Sequence, residues 1–368
     1  MMRVLHIIAR FNVGGTAAWI HELTKNLSGV GIESLVATGE VGKSEFESQL
    51  LQELNYTHMK GLGNSVNPLQ DLKAFWEIRN LIKSYNPDVV NTHTAKAGLL
   101  GRLANFSLGE GRKPLAHTLH GHLLYGYFPK PIVRLVVIIE KVLSSFTDLI
   151  IFAGEKVQLD CLNVGIGKLD QSVVMYPGVS EVKLSKESAR RTESDRLRVG
   201  WLGRVTKIKR PDRVLEIAGK LPNLDFYVGG EGDLLKTCKE SAPNNVSFLG
   251  WSNPHEFWRE MDICLLTSDN EALPISIIEA QLNGLPTVAT DVGSTSEVVI
   301  DGESGYLTSV DIDEMVEKLT TLSENSNLRE EMGKKAKARA REVFSPQRQR
   351  DDHIAAYKMA IKSFEQRP

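Results

Sequence analysis

Two glutamates eight residues apart mark the stretch of the chain that is richest in possible chemistry, SDNEALPISIIEAQLNG at residues 268–284. The apolar run before it is typical of a buried strand, Pro274 suits the first turn of a helix, and Gly284 suits its end. Glu271 is therefore predicted in a loop and Glu279 on the helix, among apolar neighbours. Both carboxylates can then line one elongated ligand, with the N–H groups of the helix start between them to bind a phosphate.

A pair of cations follows another predicted strand, in GWLGRVTKIKRPD. The strand ends at Gly203, Arg204 comes next, and Lys209 lies five residues later, just before a helix that Pro211 opens. Arginine offers phosphate oxygens a planar fork and lysine offers them a compact charge. We therefore expect Arg204 and Lys209 to neutralise a diphosphate; a solvated basic turn is the alternative.

Three histidines cluster at the end of a strand in HTLHGHLLYGYF, namely His117, His120 and His122. Imidazole is a common zinc ligand, but no carboxylate or cysteine lies close by to complete a zinc site. His120 is instead expected to donate a hydrogen bond to a sugar or phosphate oxygen. A packed strand histidine is a fair alternative for His117.

Glycine-rich turns follow several predicted strands. Gly14 and Gly15 open a helix in IIARFNVGGT and let the backbone approach a ligand closely. The dinucleotide fingerprint G-x-G-x-x-G is absent there, and a plain strand–helix turn is an equal alternative. Gly230 lies in VGGEGDL, a weak signal by itself, and Trp251 ends FLGW, whose backbone edge could bind a nucleobase.

Short apolar runs alternate with longer amphipathic segments, which predicts βα units and mostly parallel sheets. The charged stretch 180–196 indicates a linker between one domain at 1–180 and a second at 181–345, with a cleft between them. The tail 346–368 has helical spacing and is expected to pack back on the N-terminal domain. The predicted strands are RVLHIIA, SLVAT, DVVNTHT, PLAHTLHG, DLIIFAG and SVVMYP, then LRVGWLGR, LDFYVGG, NVSFLGW, DICLLTS and PTVATDVG.

Composition excludes several function classes. The 368 residues carry a net charge of −2, which argues against a nucleic-acid binder held by bulk charge. Three scattered cysteines fit a reducing compartment better than a disulfide framework. The N-terminal apolar run is too short for a secretory signal, and no apolar run is long enough to span a membrane. The sequence therefore predicts a cytoplasmic protein.

The stretches GRVTKIKRPD, VGGEGD, FLGW and SDNEALPISIIEAQLNGLPTVATDVGSTSEVVIDGESGYL, in that order, resemble the retaining glycosyltransferases of family 4. The earlier GGT, NTHTAKAGLLGRLA and HTLHGH resemble the acceptor domain of the same family. The resemblance covers nearly the whole chain. It implies the GT-B fold, an α/β architecture of two Rossmann-like parallel-sheet domains that face each other across a cleft.

The resemblance also implies a role for each candidate residue. Arg204 and Lys209 would hold the diphosphate of a sugar nucleotide, Glu279 would bind the ribose hydroxyls, and Glu271 would lie at the donor sugar near the anomeric centre. His120 would hydrogen-bond that sugar. The implied donor-binding residues are Gly14, Gly15, Gly203, Gly230, Trp251, Ala272, Leu273, Pro274, Ile275 and Glu279. Two departures, EALP for the commoner EG-P and PGVS for NGVD, affect substrate detail rather than activity.

The implied reaction is hexosyl transfer with retention of the anomeric configuration. No carboxylate pair is placed for double displacement, so we favour attack on the same face through an oxocarbenium-like state, with the diphosphate taking the acceptor's proton. We expect no metal cofactor, because the cations and the helix start can stabilise the leaving group. A UDP-sugar is the favoured donor and a GDP-sugar the rival.

The acceptor is expected to be a glycan or a lipid-linked saccharide, in polysaccharide or cell-envelope glycan biosynthesis. The stretch YGYFPKPIVRLVVIIEKVLSSF mixes apolar residues with cations and could rest on an anionic membrane, which would place the protein at the inner face of the cytoplasmic membrane. An ordinary core helix with a charged outer face is the alternative.

Two other functions fit the same fold. One is a different enzyme class, such as a sugar-nucleotide epimerase or a phosphorylase; an epimerase would convert the donor without an acceptor. A non-catalytic sugar-nucleotide-binding protein would bind nucleotide without turnover. The presence of both glutamates together with both cations argues against the non-catalytic protein.

Overall fold

The computed structural model describes residues 1–42, 46–63, 67–121, 124–125, 129–181 and 196–367. The chain divides into two compact units. Unit 1 comprises Met1–Gly178 and Ser345–Pro368, and unit 2 comprises Val179–Phe344. Most of the predicted linker, as well as His122, lies outside the described residues.

Unit 1 is built on a parallel sheet of seven strands in its described part, in the order β3-β2-β1-β4-β5-β6-β7. The inner strands are buried along almost their whole length, because helices cover both faces, so buried and exposed positions do not alternate along them. They are mostly apolar, but β1, β4 and β5 also bury polar side chains, His6, His93 and His117 among them. The strands are β1 Arg3–Ile8, β2 Glu33–Thr38, β3 Tyr56–His58, β4 Val89–His93, β5 Leu115–Leu119, β6 Leu149–Phe152 and β7 Ser172–Val174. The helices are α1 Gly15–Ser28, α2 Pro68–Tyr85, α3 Ala95–Phe106, α4 Lys130–Ser144 and α5 Glu155–Asn163.

Unit 2 repeats this architecture with six parallel strands in its described part, in the order β10-β9-β8-β11-β12-β13. Its core packs Trp201 of the first strand against apolar side chains of the flanking helices. The strands are β8 Arg198–Leu202, β9 Asp225–Gly229, β10 Val246–Gly250, β11 Ile263–Leu266, β12 Thr287–Thr290 and β13 Gly305–Thr308. The helices are α6 Pro211–Lys220, α7 Leu235–Glu240, α8 Pro254–Arg259, α9 Ile275–Leu282, α10 Thr295–Val298, α11 Ile312–Glu324 and α12 Ser326–Val343.

The C-terminal helix α13, Pro346–Glu365, returns to unit 1. The Ser345 side chain caps its N-terminus by accepting a hydrogen bond from the Arg348 N–H, and Pro346 occupies the first turn. Tyr357 and Ala360 of α13 are buried in one apolar cluster with Trp19 of α1. The tail therefore packs on the N-terminal unit.

Both sheets reverse strand order at one point, between β1 and β4 in unit 1 and between β8 and β11 in unit 2. Loops that leave neighbouring strands in opposite directions open a crevice there, which is where α/β sheets bind ligands. The candidate residues that the structure describes lie in loops or helices that follow strands, except His117, which lies within β5. No helix of the described residues is long and apolar enough to cross a bilayer.

Candidate active site

The β8 and β11 loops of unit 2 are joined by hydrogen bonds at the reversal point. Thr267, which follows β11, accepts a hydrogen bond from the buried Trp201 indole at 3.0 Å. Its own hydroxyl donates to the backbone oxygens of Lys209 and Arg210 at 3.1 and 2.9 Å. The Asp269 N–H donates to the Ile208 oxygen at 2.9 Å. These bonds hold the end of one loop beside the start of the other.

These hydrogen bonds between the two loops bring two predicted site residues into direct contact. Lys209 Nζ lies 2.5 Å from Glu271 Oε1, and Ser268 Oγ donates to the same oxygen at 2.6 Å. Glu271 is only 6% exposed. A carboxylate buried to this degree needs a cation and hydrogen bonds to compensate for its lost hydration. Lys209 and Ser268 supply them, so the Glu271 side chain is fixed in place.

Arg204 has a different environment. It lies two residues after β8 and is exposed, so its guanidinium is open to solvent and to a ligand. Lys209 ends a short 3₁₀ turn, Lys207–Lys209, that leads into α6. Arg204 and Lys209 therefore lie on the same loop, beyond the carboxyl end of β8, as the sequence predicted.

Two arginines that sequence reasoning missed hold the Glu271 loop from the side of α6. Arg213 Nη2 lies 2.7 Å from Asp269 Oδ1, and its Nη1 donates to the Thr267 oxygen at 2.8 Å. Arg210 makes a second, longer ion pair with Asp269 at 3.3 Å. In the sequence both arginines look like ordinary surface cations of a basic turn. Their shared partner, Asp269, is identified only from the structure.

Gly293 is a third residue that the sequence analysis missed. It has a φ of +55°, and a Cβ there would lie 1.7 Å from the Glu271 backbone oxygen. Only glycine fits this close approach without moving the loop. Nearby, Thr290 Oγ1 donates to the Ser268 oxygen at 2.8 Å. The available signal was a glycine directly after an apolar strand, in TDVG.

The predicted glycines Gly203 and Gly230 lie against each other at the ends of β8 and β9. Gly230 has a φ of +127°, and a Cβ there would lie 1.9 Å from the Gly203 oxygen. The Gly230 N–H donates to the Gly250 oxygen at 2.6 Å, which ties the next strand end to the same place. Trp251 follows Gly250 and is 62% exposed. The structure thus brings these residues together on one edge of the sheet, with a large aromatic face open to solvent.

The start of α9 lies just beyond Glu271. Pro274 is its N-cap residue and the helix begins at Ile275, so Glu271 is in the loop, as predicted. No side chain of the described residues caps this terminus, and Ala272 and Leu273 are buried. The N–H groups of the first turn lack acceptors within the helix, and the helix dipole makes this end attractive to an anion.

Glu279 lies in the second turn of α9 and is half-buried. Burial raises the pKa of its carboxyl to about 8, although the nearby Trp258 indole favours the charged form. The interaction is weak, because the buried Trp258 Nε1 makes no hydrogen bond of normal geometry with the described residues. Glu279 is therefore largely protonated at pH 7.

The remaining predicted residues belong to unit 1. Gly14 is the N-cap of α1 and Gly15 its first residue, and a Cβ at Gly14 would meet no atom of the described residues within 4 Å. His120 follows β5, is partly exposed, and has its Nε2 2.8 Å from His93 Nδ1. Burial, with His353 and His6 nearby, lowers the pKa of His120 to about 3, so the ring is neutral.

His117 has the structural role that was its alternative. It is fully buried, and its Nδ1 lies 2.8 Å from the Thr92 hydroxyl. Within the described ranges no three His, Cys, Asp or Glu side chains are grouped closely enough to hold a metal ion.

Two family models match this chain. The model described as Glycosyltransferase Family 4 matches residues 13–182, and the model described as Glycosyl transferases group 1 matches residues 185–339. Together they cover most of the chain and confirm the resemblance found in the sequence. The chain belongs to the family 4 type of glycosyltransferase.

Two curated relatives have informative names. The O-antigen biosynthesis glycosyltransferase WbnH of Escherichia coli is 26% identical over 308 residues, which cover 81% of this chain and 84% of the relative. The UDP-Gal:alpha-D-GlcNAc-diphosphoundecaprenol alpha-1,3-galactosyltransferase of Escherichia coli is 24% identical and covers 73% of this chain and 74% of its own. Neither name describes an epimerase or a non-catalytic binding protein, so those alternatives are not favoured.

A solved structure shows the same fold. Anabaena HepE, crystallised with UDP and glucose, aligns with a TM-score of 0.83 over 97% of this chain and 100% of its own, at 20% identity. At this level of identity the likeness shows the fold, two Rossmann-like units of the GT-B type. The predicted fold class is confirmed.

Proposed function

We propose that this protein transfers a hexose from a UDP-sugar to a glycan or lipid-linked saccharide, with retention of the anomeric configuration, during assembly of a polysaccharide or cell-envelope glycan. The observation that carries the proposal is the contact between Lys209 and Glu271 beside the uncapped start of α9. The names of the two relatives above, which act in O-antigen synthesis and on a diphosphoundecaprenol acceptor, support it.

The diphosphate is expected to bind at the Arg204 and Lys209 loop. Arg204 is exposed and can offer its planar fork to one phosphate, while Lys209 and the first N–H groups of α9 offer charge and dipole to the other. Lys209 is held by Glu271 before the ligand arrives, so it does not need to be ordered on binding. Preorganised charge of this kind stabilises a leaving group most effectively.

The bound state of Glu271 argues against double displacement. One of its oxygens already accepts hydrogen bonds from Lys209 and Ser268, which lowers its value as a nucleophile. In the proposed reaction the bond from the anomeric carbon to the phosphate oxygen breaks first, and the acceptor oxygen bonds to the same face. The acceptor's proton passes to the departing phosphate oxygen. Glu271 stabilises the positive charge that develops on the sugar.

The same charges carry the proposal that no metal ion is needed. A metal would neutralise the leaving diphosphate, and Arg204, Lys209 and the α9 terminus supply positive potential at that position.

The nucleoside is expected to lie along the neighbouring loops, with Glu279 toward the ribose. The strand ends near Gly203 and Gly230, with the exposed Trp251 ring, would face the base.

The acceptor proposal rests on α4. Its exposed face combines a stripe of apolar side chains with three cations, whereas its only carboxylate, Glu140, is buried in an ion pair with Arg102 at 2.7 Å. The exposed apolar residues are Ile132, Leu135, Ile138 and Val142. At 100° per residue they span an arc of about 120°, with Lys130, Arg134 and Lys141 along one border. Such a face fits an anionic membrane that carries a lipid-linked acceptor.

A transfer assay tests the proposal. The protein is incubated with UDP-sugars and GDP-sugars, with and without a polyprenyl-diphosphate-linked saccharide, and the product is analysed by proton NMR. We expect UDP release and an α-anomer from an α-linked donor only when the acceptor is present, at an undiminished rate in excess EDTA. An inverted product would overturn retention, and conversion of the donor without acceptor would point to an epimerase.

A further inference from the structure

Three histidine rings of unit 1 form a continuous hydrogen-bonded chain. His6 Nδ1 lies 3.1 Å from His93 Nε2, and His93 Nδ1 lies 2.8 Å from His120 Nε2. His6 and His93 are completely buried, and His120 is the partly exposed end of the chain. The rings come from β1, the end of β4 and the segment after β5, which surround the reversal point of this sheet.

Only one ring, His93, uses both of its nitrogens within the chain. A neutral imidazole has one N–H donor and one lone-pair acceptor, so His93 must donate at one nitrogen and accept at the other. The two hydrogen bonds of the histidine chain therefore run in the same direction, either from His6 to His120 or from His120 to His6. As a result, the proton position on His120 is coupled to the proton position on His6, two rings away.

The buried environment keeps all three rings neutral, which this coupling requires. Burial, together with nearby histidines, lowers the pKa of His6 to about 3 and that of His93 well below its usual value. Trp19 packs edge-on against the His120 ring, with centroids 5.0 Å apart, and restricts its orientation. The ring orientations of the chain are thus set by packing.

The outer nitrogen of His6, at the buried end of the histidine chain, determines the direction in which the hydrogen bonds run from donor to acceptor. His6 Nε2 is buried and has no hydrogen-bond partner among the described residues. If His6 donates to His93, this nitrogen carries only a lone pair; if His6 accepts, it carries a buried N–H without an acceptor. Orphaned buried N–H groups are rare and costly in proteins. Nearby His353 cannot relieve the cost, because its Nε2 is likewise unpartnered.

We propose that His6 and His93 are positioning residues that hold His120 with its proton on Nδ1, so that His120 presents a fixed N–H donor to a sugar hydroxyl oxygen. His6 donates to His93, His93 donates to His120 Nε2, and Nδ1 remains as the donor outside the chain. The use of that donor rests on the proposed function, whereas the direction of the chain does not. A fixed donor selects an acceptor oxygen on the substrate and needs no reorganisation on binding.

The direction is tested directly by NMR. In protein labelled with ¹⁵N-histidine, two- and three-bond ¹⁵N–¹H correlations distinguish the Nδ1–H from the Nε2–H tautomer, and His6→Asn, His93→Asn and His120→Asn assign the signals. We expect the Nδ1–H tautomer for all three rings of the wild type. An Nε2–H tautomer at His120 would overturn the proposal, whether or not the protein transfers sugar.

A second experiment separates positioning from packing. His6→Leu breaks the chain, whereas His6→Asn can place an amide N–H near the position of Nδ1 and keep the bond. We expect His6→Leu to mix the tautomers of His120 and to lower kcat about three- to tenfold, the value of one hydrogen bond, with His6→Asn closer to wild type. In a His120→Asn background, His6→Leu should cause no further loss of kcat. An unchanged His120 tautomer in His6→Leu, or a full additional loss in the double variant, would contradict the proposal.

Discussion

The protonation of Glu279 is the residue-scale feature with the clearest consequence. The pKa of its carboxyl is about 8 in the folded protein, whereas the pKa of an unperturbed glutamate is 4.5. Between these values the unfolded chain is ionised while the native state still holds a proton. The unfolded state then binds fewer protons, so this residue lowers stability as pH rises from about 4.5 to 8.

Glu279→Gln should therefore stabilise the unliganded protein. Glutamine cannot ionise, so the gain in the free energy of unfolding over the wild type is small near pH 5 and reaches about 1–3 kcal/mol by pH 7–8. This gain is smaller than the full pKa difference would give, because the side chain is partly exposed. Thermal melts at several pH values measure it. The matched control is Glu240→Gln, an exposed glutamate at the end of α7 in the same unit. A difference in melting temperature that does not grow with pH, or that the control reproduces, would refute the assignment.

The residue types of the site were predictable from the sequence, but their pairing was not. The cations, the glutamates and the helix start could be recognised because each has a local signal, a strand end followed by a charge or a proline. The direct contact of Lys209 with Glu271 could not be recognised in the sequence. It depends on hydrogen bonds between two loops, and the two residues are 62 positions apart in the chain. The support from Arg213 and Gly293 was missed for the same reason.

At the scale of elements, the loop that carries Glu271 is fixed by its close contact with the loop after β12. Gly293→Ala should displace the Glu271 backbone, because the new Cβ would fall 1.7 Å from its oxygen. We expect kcat to fall about tenfold or more, with a loss of about 1–3 kcal/mol in stability. Steady-state kinetics and thermal melts measure both.

Gly302→Ala is the matched control. Gly302 has a φ of +73°, which strains any side chain in the same way, but a Cβ there would meet nothing within 4 Å. This variant should lose stability and keep kcat. Equal loss of kcat in both variants would show that backbone strain alone, rather than displacement of Glu271, explains the effect.

The exposed face of α4 makes a second prediction at this scale. Leu135→Glu places a carboxylate in the apolar stripe beside the cations and should abolish flotation with anionic liposomes. Leu159→Glu on α5 is the control, because Leu159 is 55% exposed and Leu135 is 56% exposed. Flotation that is absent in the wild type, or lost equally in both variants, would remove the basis for a membrane-borne acceptor.

The sequence predicted eleven strands, all of which the structure contains, and missed two. The missed strands are β3, Tyr56–His58, and β13, Gly305–Thr308. Both are short and lie at the edge of their sheets, where each pairs with one strand of the described residues. Neither YTH nor GYLT contains a continuous apolar run, so the pattern that reveals a central strand is absent from both.

At the scale of the whole molecule, two units with the same strand order carry different residues at the reversal point. Unit 2 has charged groups there, Arg204, Lys209 and Glu271, which suit a diphosphate. Unit 1 has a chain of neutral histidines, which suits hydroxyl groups. The alternation of strands and helices in the sequence predicted the repeated architecture, whereas the chemical difference between the two crevices appears only when the loops are placed.

The central claim is that the Arg204–Lys209 loop and the start of α9 bind a nucleoside diphosphate. Isothermal titration calorimetry with UDP, UMP and uridine tests it on the wild type and on Arg204→Ala, Lys209→Ala and Lys207→Ala. Lys207 is the matched control, since it is exposed and lies on the same 3₁₀ turn as Lys209.

The account predicts that UDP binds the wild type more tightly than UMP or uridine and that Lys207→Ala leaves its affinity unchanged. Arg204→Ala and Lys209→Ala should each weaken UDP binding about tenfold or more, the value of a charge-assisted hydrogen bond. Lys209→Ala should have the larger effect, because it also leaves the Glu271 carboxylate without its cation. UDP that gives no heat with the wild type, or equal affinities for the Lys207→Ala and Lys209→Ala variants, would contradict the claim.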